Sequence, residues 1–157
     1  MATQTNDEVL RAPLVIEYPF RRTTGPVIGA FFPAVREGRR LGIRSADVSV
    51  ICPPQEYDPV TAEPLTELVL VGDTGTVESW TWVTEPDDGQ PFDRPFAWVL
   101  VRLDGADTPM VHALDVAGPN EVSVGQRVRV VWAGERTGAI TDFHFAPDTD
   151  DESEASS

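Results

Sequence analysis

Apolar and polar residues alternate along the second half of the chain, beginning near Leu68. Alternation with a period of two is typical of strands that bury one face. Glycine, proline and aspartate clusters separate the alternating runs. The runs are LVLVG, TGTVESWTWV, PFAWVLVRLD, TPMVHALDV, QRVRVVWAGE and AITDFHFAP. This pattern predicts a mainly β fold in which residues 71–147 form a five-stranded Greek-key barrel of the OB type.

The same alternation predicts which side chains share a face. In the first long run, one face holds Glu78, Trp80 and Trp82, and the other holds Val77, Ser79, Thr81 and Val83. In the fifth run, one face holds Val128, Val130 and Trp132, and the other holds Arg127, Arg129 and Val131. One face of each strand is expected to enter the core.

A helical pattern precedes the strands, within an N-terminal helical segment at residues 19–44. Its apolar positions are Val27, Ile28, Phe31, Phe32 and Val35. Thr23 or Thr24 is expected to cap the helix, with Pro26 in its first turn. Gly38 or Gly42 is expected to end it, and Pro33 is expected to kink the helix or break it into two pieces.

The remaining segments are predicted to be a connector between the helix and the barrel and the two ends of the chain. Residues 45–70 are predicted to be a connector, in which residues 45–65 contain four prolines, at positions 53, 54, 59 and 64, and one short strand-like piece, VSVIC. Residues 1–18 are predicted to be a flexible N-terminus. Residues 148–157 are predicted to be a disordered acidic tail because they are acidic, rich in serine and without an apolar anchor.

Composition narrows the possible functions. No apolar run approaches the roughly 20 residues that a membrane helix needs, and no signal-peptide pattern opens the chain, so a cytoplasmic protein is expected. The net charge is −14, yet residues 11–44 hold seven arginines against Glu17 and Glu37. The acidic body repels phosphate backbones, so nucleic-acid binding is an unfavourable interpretation.

The candidate catalytic groups are few. Cys52 is the single cysteine, so a disulfide within the chain and a four-cysteine zinc site are excluded. As a nucleophile it would need His112 or His144 as a base, and neither lies in a catalytic signature. Structural or surface positions are expected for both histidines. The carboxylate pairs Asp87–Asp88 and Asp104–Asp107 adjoin glycine or proline and are interpreted as turn residues.

Several segments in this order resemble a known family. They are the aromatic helix with REGRRLGIR, a Pro-Pro step in CPPQEYDPVT, then GTVESWT, and a barrel containing VGQRV. Over about residues 19–147 the chain resembles the acyl-CoA-associated zinc-ribbon/OB-fold proteins, also called domain of unknown function 35. The resemblance implies an OB barrel preceded by a rubredoxin-like zinc ribbon, here degenerate because only Cys52 remains of the usual Cys-x-x-Cys pairs.

The resemblance also implies a function. Such proteins are accessory subunits of thiolase-like enzymes that act on acyl-CoA thioesters, and the partner supplies the catalytic groups. For this chain it implies a hetero-oligomer with a thiolase or aldolase of actinobacterial steroid degradation, and acyl-CoA bound through that partner. With Glu56 and Asp58, Cys52 does not complete a zinc site. No cofactor is therefore expected on this chain, and prolines and the packing of Tyr57 and Ile51 are expected to hold the connector.

The arginine-rich helix is the predicted contact surface, since arginine and aromatic residues dominate interface hot spots. The predicted interface residues are Phe31, Phe32, Arg36, Arg39, Arg40, Arg44 and Tyr57. Two alternatives stay open. One is a single-stranded nucleic-acid-binding OB protein that uses Trp80, Trp82, Trp98 and Trp132 to stack bases. The other is an independent hydrolase or isomerase that uses Cys52 with a histidine.

Overall fold

The fold is a closed barrel preceded by a helix and a small sheet. The computed structural model describes residue 14 and residues 23–148. The predicted flexible N-terminus at 1–18 and acidic tail at 148–157 lie outside the described residues, apart from Leu14 and Asp148. The elements are α1 (Pro26–Arg36), β1 (Leu41–Arg44), β2 (Val50–Ile51), β3 (Leu68–Leu70), β4 (Thr74–Val83), β5 (Phe96–Leu103), β6 (Met110–Leu114), β7 (Arg127–Trp132) and β8 (Phe143–Pro147). Short 3₁₀ turns lie at Pro119–Glu121 and Ile140–Asp142.

Strands β4 to β8 close into the predicted five-stranded barrel, in the order β4-β5-β6-β8-β7. β6 and β8 pair in parallel through Leu114 and Phe145, and the other neighbours are antiparallel. Closure leaves no free edge in the barrel, and the interior is filled by side chains from all five strands. Fully buried examples are Val77, Val99, Leu103, Leu114, Val128 and Phe145. The predicted mainly β fold with an OB-type barrel is confirmed.

The predicted faces of β4 are wrong because the strand contains a bulge. Val77 pairs with Val101, but Ser79 pairs with Leu100, so the register shifts at Glu78. An extra residue in one strand reverses the alternation of side chains beyond it. Val77 is therefore buried, and Trp80 and Trp82 also pack against the core. Simple alternation had placed these tryptophans opposite Val77.

Helix α1 is continuous through Pro33, which lies three residues before its end, so the predicted break into two pieces is wrong. The helix buries Val27, Phe31, Ala34 and Val35. It ends where Gly38 takes a left-handed φ of 75° and donates its N–H to the Val35 carbonyl at 2.9 Å. Among the described residues, no helix combines the length and apolar character needed to cross a lipid bilayer.

The connector is organised around a second, three-stranded antiparallel sheet with the order β2-β1-β3. Residues 41–44, expected in the helical segment, instead form its central strand β1. Gly42 sits within this strand: a Cβ there would lie 2.6 Å from Val50 Cγ1 and 3.0 Å from the Ile51 carbonyl oxygen. Gly42 is thus needed for close strand packing and does not end the helix.

Polar contacts from the β5–β6 turn attach this sheet to the barrel. Asp107 accepts the Val50 N–H through its carboxylate at 2.8 Å and donates its own N–H to the Val50 carbonyl at 2.8 Å. Thr108 Oγ1 accepts the Cys52 N–H at 2.9 Å. The small sheet is therefore tied to the barrel by both backbone and side chains.

Candidate functional site

The exposed arginines of the predicted interface lie at the C-terminal end of α1. Arg36 and Arg39 are both exposed, and Arg39 forms an ion pair with Glu37. A groove of about 440 Å³ opens beside them. Its lining residues are Phe32, Pro33, Arg36, Glu37, Thr137 and Gly138. Phe32 is only partly buried, so the end of the helix presents an aromatic side chain next to cationic groups.

Arg136 joins this cluster, and sequence reasoning missed it. Its Nε donates to the Arg36 carbonyl at 3.0 Å, across a separation of 100 residues. Its guanidinium lies 5.8 Å from the centroid of the Trp132 ring. No local pattern could have revealed the pairing, because Arg136 lies in the loop between β7 and β8 and approaches α1 only in the folded chain.

Arg40 and Phe31, also predicted to contact a partner, point into the molecule. Arg40 is 5% exposed, donates from Nε to the Gly72 carbonyl at 2.9 Å, and forms an ion pair with Asp73. Its guanidinium lies 5.2 Å from the centroid of the Trp132 ring, and burial lowers its pKa. Both side chains are therefore inaccessible: Arg40 links the β3–β4 turn to β7, and Phe31 packs in the core.

Arg44 and Tyr57 lie in the small sheet and its loops. Arg44 donates to Glu67 Oε1 at 2.9 Å and to the Val48 carbonyl at 3.1 Å. Tyr57 is 60% exposed, whereas Ile51 is buried. Ile51 packs in a buried apolar cluster, as expected. The expectation that packing of Tyr57 helps to hold the connector is wrong, because this side chain is presented to solvent.

Carboxylates hold the connector in place of that packing. Asp58 is 4% exposed and accepts three backbone N–H groups, from Ala46 at 3.0 Å and from Val60 and Thr61 at 2.9 Å each. These hydrogen bonds lower the pKa of Asp58 to about 2. Asp58 thus ties residues 45–49 to residues 58–61, two loops that are distant in sequence.

Glu56 performs a similar function at the start of α1. Gly25 is the N-cap residue, and neither Thr23 nor Thr24 provides the expected side-chain cap. Glu56 Oε1 accepts the Ile28 N–H at 2.9 Å, and Oε2 accepts the Val27 N–H at 3.3 Å. A carboxylate here satisfies free N–H groups and complements the positive end of the helix dipole.

The residues at the position where the resemblance implies a zinc ribbon do not fit a zinc ion. Cys52 is buried and its Sγ lies 3.8 Å from the Leu41 carbonyl oxygen, a long hydrogen bond. The Glu56 and Asp58 carboxylates are engaged by backbone N–H groups. A structural zinc site needs four convergent ligands, and the described residues contain no cluster of three or more suitable side chains.

Burial and contacts within the chain define the environments of Cys52 and the two histidines. Burial raises the pKa of Cys52 to about 11, so the thiol is protonated at neutral pH. His112 is buried, places Nε2 2.9 Å from the Ile140 carbonyl and accepts the Ala113 N–H at Nδ1, so it is the neutral Nε2–H tautomer. His144 is partly buried against Phe92. His112 has the structural environment expected from the sequence.

The carboxylate pairs occupy turns, as expected. Asp104 forms an ion pair with Arg127 at 2.5 Å and accepts the Thr74 hydroxyl, and these contacts lower its pKa to about 2. Asp87 and Asp88 lie in an exposed loop beside Gly89, which has a φ of 87°. A cavity of about 290 Å³ within residues 86–93 is lined by Asp87 and Asp88, but by no histidine, cysteine or cationic side chain.

The tryptophans do not form a base-stacking platform. Trp82 and Trp132 pack against the core. Trp80, which also contacts the core, and Trp98 border an outer apolar groove of about 200 Å³ with Leu100 and Val111. The nearby Arg102 is paired with Glu78 at 2.6 Å. Nucleic-acid platforms interleave aromatic rings with available cations, and this face does not.

Comparisons with known proteins agree on the fold. Residues 68–133 match the family model of the ChsH2 C-terminal OB-fold domain, a segment from β3 to just beyond β7. A protein of unknown function from the DUF35 family of Sulfolobus solfataricus has a similar structure, with a TM-score of 0.61 and 17% identity over 80% of this chain and 87% of that chain. A search of curated protein sequences finds no match.

A second similar structure is the Ltp2-ChsH2(DUF35) aldolase. Its matched chain gives a TM-score of 0.60 and 22% identity, over 81% of this chain and 98% of that chain. At these identities the structures establish a shared fold. Since both alignments cover about four fifths of this chain, the shared fold extends beyond the segment that the family model matches.

Proposed function

We propose that this chain is a non-catalytic OB-fold subunit that binds and stabilises a thiolase-like acyl-CoA enzyme, a thiolase or a retro-aldolase. The observation that carries the proposal is the match between the barrel segment and a ChsH2 OB-fold domain. It is supported by the fold shared over nearly the whole length of a chain in an aldolase named for Ltp2 and ChsH2. Steroid side-chain or related lipid degradation is the proposed setting.

The arrangement of this chain's own reactive groups supports an accessory role. Cys52 is protonated and buried, and both ring nitrogens of His112 have partners within the chain. A partner that carries the nucleophile and the base would complete the chemistry. The acyl-CoA thioester is then expected at the interface between subunits, with no metal or other cofactor on this chain.

The cationic end of α1 is the proposed contact with that enzyme. Arg36 and Arg39 are exposed in a molecule of net charge −14, beside a groove of about 440 Å³. Arginine recognises carboxylates and phosphates through paired N–H groups. These side chains are suited to partner carboxylates or to the phosphates of a CoA bound there. Nucleic-acid binding is less well supported, because Arg102 and Arg127 of the barrel are paired with carboxylates.

The test is co-expression with the thiolase-fold proteins of the same genome, followed by size-exclusion chromatography and mass spectrometry. We expect a complex of fixed stoichiometry. Combining Arg36→Glu with Arg39→Glu should weaken it at least tenfold by biolayer interferometry, and more at low salt. Arg129→Glu, an exposed charge reversal on β7, is the matched control and should change the affinity less than twofold.

Complex formation tests the accessory role, and the variants test the position of the interface. A chain that elutes alone beside every thiolase-fold candidate would overturn the proposed function. A complex that forms but responds equally to the helix and control variants would retain the accessory role and remove the helix end from the interface.

A further inference from the structure

The loops of the small sheet present a second surface with exposed apolar side chains, apart from the end of α1. Three large apolar side chains project into solvent here: Val60 is 90% exposed, Val48 is 67% exposed, and Tyr57 is 60% exposed. Single exposed apolar residues are ordinary, but a cluster of them marks an interaction site. We call residues 45–49 and 55–61, together with Thr108, the ribbon tip.

A cavity of about 260 Å³ lies within the ribbon tip. Its lining comprises the apolar residues Ala46, Ile51, Pro59 and Val60 and the polar residues Ser45, Asp47, Ser49, Gln55, Asp58, Thr61 and Thr108. Small-molecule sites in proteins are usually about 300–1,000 Å³. The size and the mainly apolar walls fit a side chain inserted by a partner better than a whole small ligand.

The ribbon tip is fixed in shape by contacts within the chain. Asp58 joins its two loops through three backbone N–H groups. Asp47 accepts the Ser49 N–H at 3.0 Å and the Ser49 hydroxyl at 2.6 Å. A preformed surface binds with a smaller loss of conformational entropy than a flexible one.

Backbone strain also concentrates at these loops. Among the described residues, the non-glycine residues with positive φ are Val48, at 68°, and Ala62, at 60°. A β-branched residue in the left-handed region is a genuine outlier. In this backbone conformation the Val48 side chain is exposed to solvent, so the isolated chain gains no burial free energy from it.

Charge identifies the partner. Of the five carboxylates in residues 45–67, Glu56 and Asp58 accept backbone N–H groups, and Glu67 is paired with Arg44, which also donates to the Val48 carbonyl. Asp47 and Glu63 are exposed at the ribbon tip or beside it. An apolar centre inside an acidic rim is complementary to an apolar segment flanked by basic residues. A second copy of this chain is a poor fit, since two molecules of charge −14 repel each other.

We propose that the ribbon tip docks an apolar segment, flanked by lysine or arginine, of the acyl-CoA enzyme subunit. This inference rests on the proposed function and adds a second contact region, separate from the cationic end of α1. Val60 and Tyr57 are its anchors, and the cavity beside Val60 receives one apolar side chain of the partner. The two surfaces have opposite charge, so together they fix the orientation of the bound subunit.

The test measures the affinity of the co-purified complex for single variants of this chain. Val60→Asp and Tyr57→Ser should each weaken the complex at least tenfold. Glu63→Lys should weaken it about threefold and reduce its dependence on salt. The control is Val124→Asp, at a valine that is 67% exposed and lies outside the ribbon tip. This variant should change the affinity less than twofold. Near-ultraviolet circular dichroism and thermal melting check that each variant folds.

A photo-crosslinking amino acid at position 60 identifies the occupant directly. A crosslink to an apolar, lysine- or arginine-flanked segment of the enzyme subunit supports the proposal. A crosslink to a second copy, or to residues 1–22 of the same chain, would overturn it. If the complex forms and every variant binds like the unmodified protein, this inference fails while the proposed function stands. If no complex forms at all, both fail.

Discussion

At the scale of single residues, carboxylates supply the tertiary hydrogen bonds that hold irregular segments in place. Glu56 and Asp58 accept backbone N–H groups from other segments, and Asp107 does the same for Val50. Asp142 accepts the N–H groups of Gly138 and Ala139 at 2.6 and 3.1 Å. Part of the high acid content therefore serves the fold.

Cys52 illustrates how burial sets reactivity at this scale. Because its pKa is raised to about 11, its thiolate fraction at pH 8 is roughly two orders of magnitude below that of an unfolded cysteine. We expect native protein to react with iodoacetamide about 100-fold more slowly than protein in 6 M urea. The single cysteine makes mass spectrometry unambiguous. Equal rates in the two states would contradict the burial of this thiol.

At the scale of elements, helix α1 depends on a cap supplied from another part of the chain. The Glu56 carboxylate lies so close to Gly25 that a Cβ on this glycine would be 2.3 Å from its carboxyl carbon. Glycine at the N-cap therefore leaves room for the Glu56 carboxylate. This side chain, 31 positions away, replaces the Ser, Thr or Asp that usually caps a helix locally. The helix and the ribbon tip are coupled by this contact.

Removing the cap should destabilise the helix by a measurable amount. Glu56→Ala is expected to lower the free energy of unfolding by about 1 kcal/mol, as the loss of an N-cap does elsewhere. Gly25→Ala should have a similar effect by displacing the carboxylate, and the double variant should be clearly less than additive. Urea denaturation followed by tryptophan fluorescence measures all three. The control Glu63→Ala should stay within about 0.5 kcal/mol of the unmodified protein.

At the scale of the whole molecule, charge is separated into a cationic helix end and an acidic remainder. Several aspartates have a pKa below the usual value because they accept hydrogen bonds or pair with arginine: Asp47, Asp58, Asp104, Asp115 and Asp142. A group whose pKa is lower in the folded state stabilises the protein above its unfolded pKa. That stabilisation is lost as pH falls toward the folded pKa.

The free energy of unfolding should therefore fall between about pH 4 and pH 2. The upper limit is the pKa of an unfolded aspartate, and the lower limit is the pKa of Asp58 and Asp104 in the folded protein. Thermal melting in steps of pH, followed by circular dichroism, measures this loss. Asp58→Asn should be less stable than the unmodified protein at pH 7, yet lose less stability on acidification. A melting temperature that rises from pH 4 to pH 2 would contradict this account.

The sequence predicted those parts of the candidate site that depend on the local helical pattern of α1. Phe32 lies on α1, as helical periodicity predicted, and Arg36 is the last residue of the helix. Arg39 is exposed just beyond the end of α1, after Gly38. Arg40 has the same local character but is buried, because the chain turns at Gly38 and enters β1 directly afterward. Whether the exposed residues of this set contact a partner stays a prediction.

The sequence by itself determined the barrel, its strand number and the position of α1, because periodicity of apolar residues follows from one buried face per element. Tertiary structure alone decided the bulge in β4, the inward direction of Arg40, the approach of Arg136 to Arg36, and the capping of α1 by Glu56. Each of these depends on groups separated by many residues, and their mutual distance is set only when the barrel closes and the small sheet packs against it. The ribbon tip belongs to the second set for the same reason.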